Sequence, residues 1–214
     1  MIAQTAGAEG TSLGYLMLIL LSATFTDNIL LTRFLGMCSF LSISQQLKSA
    51  VGLGVAVVFV TTITGALNAA LYKYAIVPAN EHFGVPLGLQ FIVFIVVIAG
   101  VVQLLEMLIE RVSLSLYYAL GIFLPLITVN CAILGACLFL VNLGFHRNLL
   151  EATMFSFGSG FGWMLAIVAM AGIRSKLKNQ YIPLGLQGPG ITLIITGIIA
   201  LAFIGFSGMV QLAK

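Results

Sequence analysis

The chain has 214 residues, of which 61% are hydrophobic and 7% charged, with a formal net charge of +3 and a mean hydropathy of +1.17. A soluble domain carries about a quarter charged residues, so this chain lacks the polar side chains to cover a globular surface. Its long unbroken apolar runs also exclude the short alternating segments of a β-barrel. An all-α integral membrane protein remains.

The polar opening MIAQTAGAEGTS (residues 1–12) has no positively charged start of a cleaved leader, so it is expected to persist as a short tail. Six apolar spans follow, at Leu13–Leu31, Val51–Leu71, Leu89–Ile109, Tyr117–Val141, Ala152–Ile173 and Gly190–Leu212. Each is near the ~20 residues that a bilayer requires. No intervening segment is long or polar enough for a soluble domain, so the chain reads as one membrane domain.

The basic residues suggest an orientation, because cytoplasmic loops carry the excess of Lys and Arg. Arg33, Lys48, Arg111, Arg174, Lys176 and Lys178 fall on one side. Lys73, Arg147 and Lys214 fall on the other. Both termini are therefore expected outside the cytoplasm, which means the periplasm if the host membrane is a bacterial inner membrane.

Two apolar regions are too long for one crossing. The run from Leu13 to Ile43 would measure roughly 46 Å as a straight helix, against a hydrocarbon core of about 30 Å. The stretch from Tyr117 to Phe145 has the same excess and contains Gly121, Pro125 and Gly135. Each is expected to be a span joined to a half-helix, with a break near a cysteine. Broken helices at matching places in two halves mark an inverted-repeat fold. Here the halves would be 13–109 and 117–212, three spans each and opposite in topology.

Cys38 in FLGMCSF and Cys131 in LPLITVNCAILG sit at those two places. Packing is the ordinary role of a buried cysteine. Glycines, a helix break and the neighbours Thr128 and Asn130 argue instead for metal ligation, since a thiolate in lipid needs a cation to neutralise it. Cys137 lies on a different helix face from Cys131 and reads as packing. Two thiolates are half of what a plain iron–sulfur cluster or an all-cysteine zinc site takes. His82 and His146 lie in expected loops. A ligand site would therefore need a partner chain to bring two more cysteines. Backbone amides freed near Gly36 and Gly135, with Asn130, are candidates to hydrogen-bond the sulfurs.

Among the acidic residues, Asp27 lies within the first span, where an unpaired carboxylate is expensive. It reads either as a cation ligand or as the cap of a broken helix. Glu106, in QLLEM, is the second candidate for a cation path, sharing a face with Glu110. Glu9, Glu81 and Glu151 fall in tails or loops. FGSGFGW brings small residues together at short intervals, a close helix-packing surface. It lacks the Lys-Ser/Thr ending of a phosphate loop, and nothing points to nucleotide or nucleic acid.

The blocks FLGMC, QLLEM, LGIFLPLITVNCAI, FGSGFGWMLAIVAMAGIR and ITLIITGIIALAFIGFSGMVQL occur in order from about Phe25 to Leu212. Together they resemble the NqrDE/RnfAE family of membrane subunits. The stretch GSGFGWMLAIVAMAGIR is nearer to the NqrE branch, from sodium-translocating NADH:quinone oxidoreductases, than to RnfA. The resemblance implies pairing with a homologous NqrD-type chain of opposite topology. It also implies that Cys38 and Cys131 hold half of one intramembrane [2Fe-2S] cluster. Electrons would pass from a cytoplasmic NADH-oxidising subunit towards FMN on the periplasmic side, coupled to Na+ export. FAD, FMN, riboflavin, NADH and ubiquinone would bind the other subunits (A, B, C and F). Cys137 stands outside the family motif. Two other readings stay open: an RnfA-type subunit of a ferredoxin:NAD complex, and a self-contained inverted-repeat ion transporter working around Asp27.

Overall fold

Among the residues that the computed structural model describes (13–78, 87–112, 127–145, 148–177, 183 and 187–205), every regular element is helical. The tail 1–12, residues 117–126 with Gly121 and Pro125, the end of the sixth span, and Glu9, Glu81, His82, His146, Arg147, Lys178 and Lys214 lie outside them. The helices are α1 (Leu13–Leu21), α2 (Met37–Ile43), α3 (Leu47–Leu71), α4 (Leu87–Val112), α5 (Cys131–Asn142), α6 (Leu149–Leu177) and α7 (Pro189–Ile204). A π-helical turn extends α1 through Ser22–Thr26, and another extends α3 through Tyr72–Ile76. Three stretches, Leu47–Ile76, Gln90–Met107 and Leu149–Leu177, are long and apolar enough to cross a bilayer.

The pair α3 and α6 forms the centre of the bundle, with α1 and α5 packed against it. The glycines of FGSGFGW explain how closely α6 is approached. A Cβ on Gly158 would lie 2.9 Å from the Leu20 carbonyl oxygen, and one on Gly162 would lie 2.7 Å from that of Thr24. On the other side of the helix, a Cβ on Gly160 would lie 3.0 Å from the Val58 Cα. Backbones meet here without side chains between them, as small residues allow in membrane helices. By contrast, Ile92, Val96 and Leu104 of α4 and Ile198 and Leu201 of α7 are exposed apolar residues, as a lipid-facing surface requires.

The first apolar run departs from the expected span Leu13–Leu31. Its helix stops at Thr26, and Leu13–Thr26 is shorter than a crossing. The Thr24 Oγ1 donates to the Gly158 carbonyl (3.2 Å), Asn28 Nδ2 to the Gly162 carbonyl (2.9 Å), and Arg174 to the Leu41 carbonyl (3.1 Å). The sequence offset between partners is 134, 134 and 133 residues, so this segment climbs α6 in parallel. Thus α1 and its π turn lie along α6, and the Arg174 side chain ties the far end of α2 to the same helix.

Glu151 also differs from its expected loop position. It lies in the first turn of α6, is 4% exposed, and accepts from Asn148 Nδ2 at 2.6 Å. Anionic groups are stabilised at helix N-termini, which accounts for a buried carboxylate there.

Candidate functional site

Both cysteine blocks begin where a helix restarts after a break. The first break runs from Asp27, which closes the π turn, to Gly36, the N-cap of α2 with φ 80°. Phe34 is also left-handed, at φ 55°. Asn28, fully buried, holds this irregular backbone. Its Oδ1 accepts from the Leu30 and Leu31 amides (3.1 and 3.3 Å) while Nδ2 bonds the Thr24 and Gly162 carbonyls (3.0 and 2.9 Å). Irregular backbone at membrane depth must be satisfied by protein groups in this way. The second break ends at Asn130, the N-cap of α5, whose Oδ1 accepts from the Ala132 amide at 3.0 Å.

Gly36 joins the two breaks. Its N–H donates to the Cys131 Sγ at 2.9 Å, and its carbonyl accepts from Ser39 Oγ at 3.0 Å. Asn130 Nδ2 in turn donates to Ser39 Oγ at 3.3 Å. Cys38 lies in the first turn of α2, between Gly36 and Ser39. Gly36, Asn130 and Cys131 are therefore brought together, with Cys38 beside them, and both Cys38 and Cys131 are exposed on this chain.

Gly135 has a different place from the one expected. It lies inside α5, where its amide serves the helix ladder, and its α-carbon faces Leu35: a Cβ there would lie 2.5 Å from Leu35 Cδ1. Cys137 is fully buried in the core and accepts from Asn68 Nδ2 at 3.2 Å, a packing environment.

The two acidic candidates are apart from the cysteines. Asp27 is paired with Arg33, Nε to Oδ1 at 3.2 Å and a second nitrogen to Oδ2 at 3.4 Å. The same guanidinium sits 4.4 Å from the ring centroid of Phe139. Asp27 thus caps a helix break and carries its own counter-ion. Glu106 is half-buried on α4. Among the described residues, no group of three or more His, Cys, Asp or Glu side chains comes together.

Sequence reasoning missed Asn28 and Ser39 as builders of this site. Their signal was a polar side chain inside an apolar run, next to a candidate residue. The donor set has a clear chemical meaning. Two exposed thiols, one already receiving a backbone N–H, fit half of a four-thiolate cluster site and do not fit a complete one.

Residues 16–210 match the Rnf-Nqr family, described as an Rnf-Nqr subunit and membrane protein. The chain is 49% identical over 192 residues to the E subunit of the Na(+)-translocating NADH-quinone reductase of Aeromonas hydrophila subsp. hydrophila, covering 89% of this chain and 96% of that one. It is 52% identical over 188 residues to the protein of the same name in Serratia proteamaculans, covering 87% of this chain and 94% of that one.

Proposed function

This chain belongs to the Rnf-Nqr family of membrane subunits, and on that premise we propose that it is an electron-relay subunit of a sodium-translocating NADH:quinone reductase. Cys38 and Cys131 would provide two thiolates of a [2Fe-2S] cluster, and a homologous NqrD-type chain of opposite topology would provide the other two. When bound, such a cluster supplies one-electron redox chemistry. In this reading the electron arrives from the cytoplasmic NADH-oxidising subunit and leaves towards FMN on the periplasmic side, coupled to Na+ export. The six-span inverted repeat, the bacterial inner membrane and periplasmic termini belong to the same proposal. Two short helices, α2 and α5, each starting after a break with a cysteine in the first turn, are the pattern that such a repeat predicts.

The observation that carries this reading is the hydrogen bond from Gly36 N–H to Cys131 Sγ, which ties the two cysteine blocks into one locus. A donor aimed at sulfur stabilises negative charge there and favours the thiolate that binds metal. Asn130 and Ser39 hold the two half-helices in register. The stand-alone transporter has less support, because Arg33 already engages both oxygens of Asp27.

The test is iron content and EPR of the purified intact complex, comparing wild type with Cys38→Ala and Cys131→Ala. Each change is expected to remove one cluster's worth of iron and to stop NADH-driven quinone reduction while the complex still assembles. Unchanged iron and turnover would overturn the proposal.

A further inference from the structure

Gly36 is pinned by a residue far along the chain. Trp163, the single tryptophan, is fully buried on α6. A Cβ on Gly36 would lie 2.5 Å from its Nε1, 2.9 Å from the Ala132 Cβ and 3.2 Å from Asn130 Oδ1. The α-carbon of Gly36 is therefore clamped between the indole edge and the start of α5. Its φ of 80° already favours glycine at this position. The amide of this clamped residue is the one directed at Cys131 Sγ.

Among the described residues, the buried indole N–H finds no hydrogen-bond partner. Such orphans are rare in native interiors and ask for an explanation. A phenyl ring would fill the core here without stranding a donor. What the indole adds is reach and a positive edge, laid against Gly36. Because Trp163 is shielded from the surface, it acts from behind Gly36 and does not touch a group bound at the exposed sulfurs.

We propose that Trp163 is a positioning residue, whose indole edge holds the Gly36 N–H on Cys131 Sγ and so sets the reduction potential of the [2Fe-2S] site. This rests on the cluster reading above. Hydrogen bonds to ligand sulfur and nearby positive potential stabilise the reduced, more negative state of a cluster and raise its potential. Trp163→Phe removes the Nε1 contact and the positive edge while leaving an aromatic ring in place. Ala132→Gly removes the opposing methyl and loosens the same clamp from the α5 side.

The measurement is an EPR-monitored redox titration of the intact complex, with iron quantified in parallel. Trp163→Phe is expected to retain iron and to shift the midpoint potential to a more negative value. Ala132→Gly is expected to shift it the same way by less. A Trp163→Phe complex with full iron, unchanged g-values and unchanged potential would reduce Trp163 to core packing and overturn the proposal. If Trp163→Phe fails to assemble, Ala132→Gly decides, and an unaltered potential there overturns it equally. Failure of the underlying reading has a different signature. The wild-type iron signal would then survive Cys38→Ala and Cys131→Ala, and the proposal would fall with it.

Discussion

Asn28→Ala should release the first helix break from α6. The side chain is fully buried and makes four hydrogen bonds, accepting from the Leu30 and Leu31 amides and donating to the Thr24 and Gly162 carbonyls. Leu30 and Leu31 are themselves buried, at 0% and 4% exposure, so truncation leaves two amides without water to replace the lost acceptor. Orphaned groups cost about 1–3 kcal/mol each. Interhelical hydrogen bonds in membranes average only about 0.6 kcal/mol, because the membrane-embedded unfolded state finds other partners. Only the bond to the Gly162 carbonyl crosses to another helix, at about 0.6 kcal/mol, and two orphaned amides in the lower half of their range come to about 2–4 kcal/mol. The expected loss is therefore about 3–5 kcal/mol. The assay is SDS-induced unfolding of the purified complex, with Thr62→Val as control. Among the described residues, Thr62 Oγ1 bonds only the Val58 carbonyl of its own helix, at 2.7 Å, so its loss should stay below about 0.6 kcal/mol. Equal midpoints for the two variants would show that Asn28 does not hold the break.

Two other outcomes follow from the same geometry. Cys137→Ala should lower stability by about 2–4 kcal/mol, a small cavity of about 1 kcal/mol plus about 1–3 kcal/mol for the buried Asn68 Nδ2 that loses its acceptor. Iron and EPR signal should stay at wild-type levels; loss of iron would make Cys137 part of the site. For Asp27 and Arg33, whose side chains are 31% and 44% exposed, a double-mutant cycle on unfolding with Asp27→Asn and Arg33→Gln should give a coupling of about 0.2–1 kcal/mol. A coupling several times larger would mean that the pair is sealed from water and lipid headgroups in the assembled complex.

Composition was enough to read the helical, membrane character, because hydropathy sums over residues and needs no partner. The excess length of Leu13–Ile43 also revealed that a break had to exist near Gly36. What it did not reveal was where the helix ends. TDNILLTRF carries Asp27, Asn28 and Arg33 inside the apolar run, a polar interruption that hydropathy registers, but hydropathy is blind to whether a backbone amide is bonded within the helix or by Asn28 Oδ1. The partner that makes Asn28 decisive, Gly162, is 134 residues away. Glu151 was misplaced for a related reason: a charge ahead of an apolar run looks like loop until Asn148 is seen beside it. Gly36 stood out as a glycine beside a cysteine, but the reason for it, the edge of Trp163, is a tertiary contact with no local trace.

The level of the cysteines along the bundle bears on what covers them. Trp163 is the midpoint of α6, a helix of 29 residues, about 43 Å long at 1.5 Å per residue and therefore able to span a core of about 30 Å. Gly36, pressed on that indole, sits at the same level, and so does the sulfur it bonds. The thiols are thus exposed near the level of the α6 midpoint, on segments that also carry Phe34 and Val129, themselves 57% and 77% exposed. Lipid against this face would leave any thiolate unneutralised, at a prohibitive solvation cost. Against lipid or an apolar protein surface without a metal, the cysteines would stay protonated as neutral thiols. In the proposed reading, a homologous partner brings two more thiolates around the metal that neutralises them. On that reading, metal binding and pairing with the second chain at this face go together, and neither half-site should hold the metal alone.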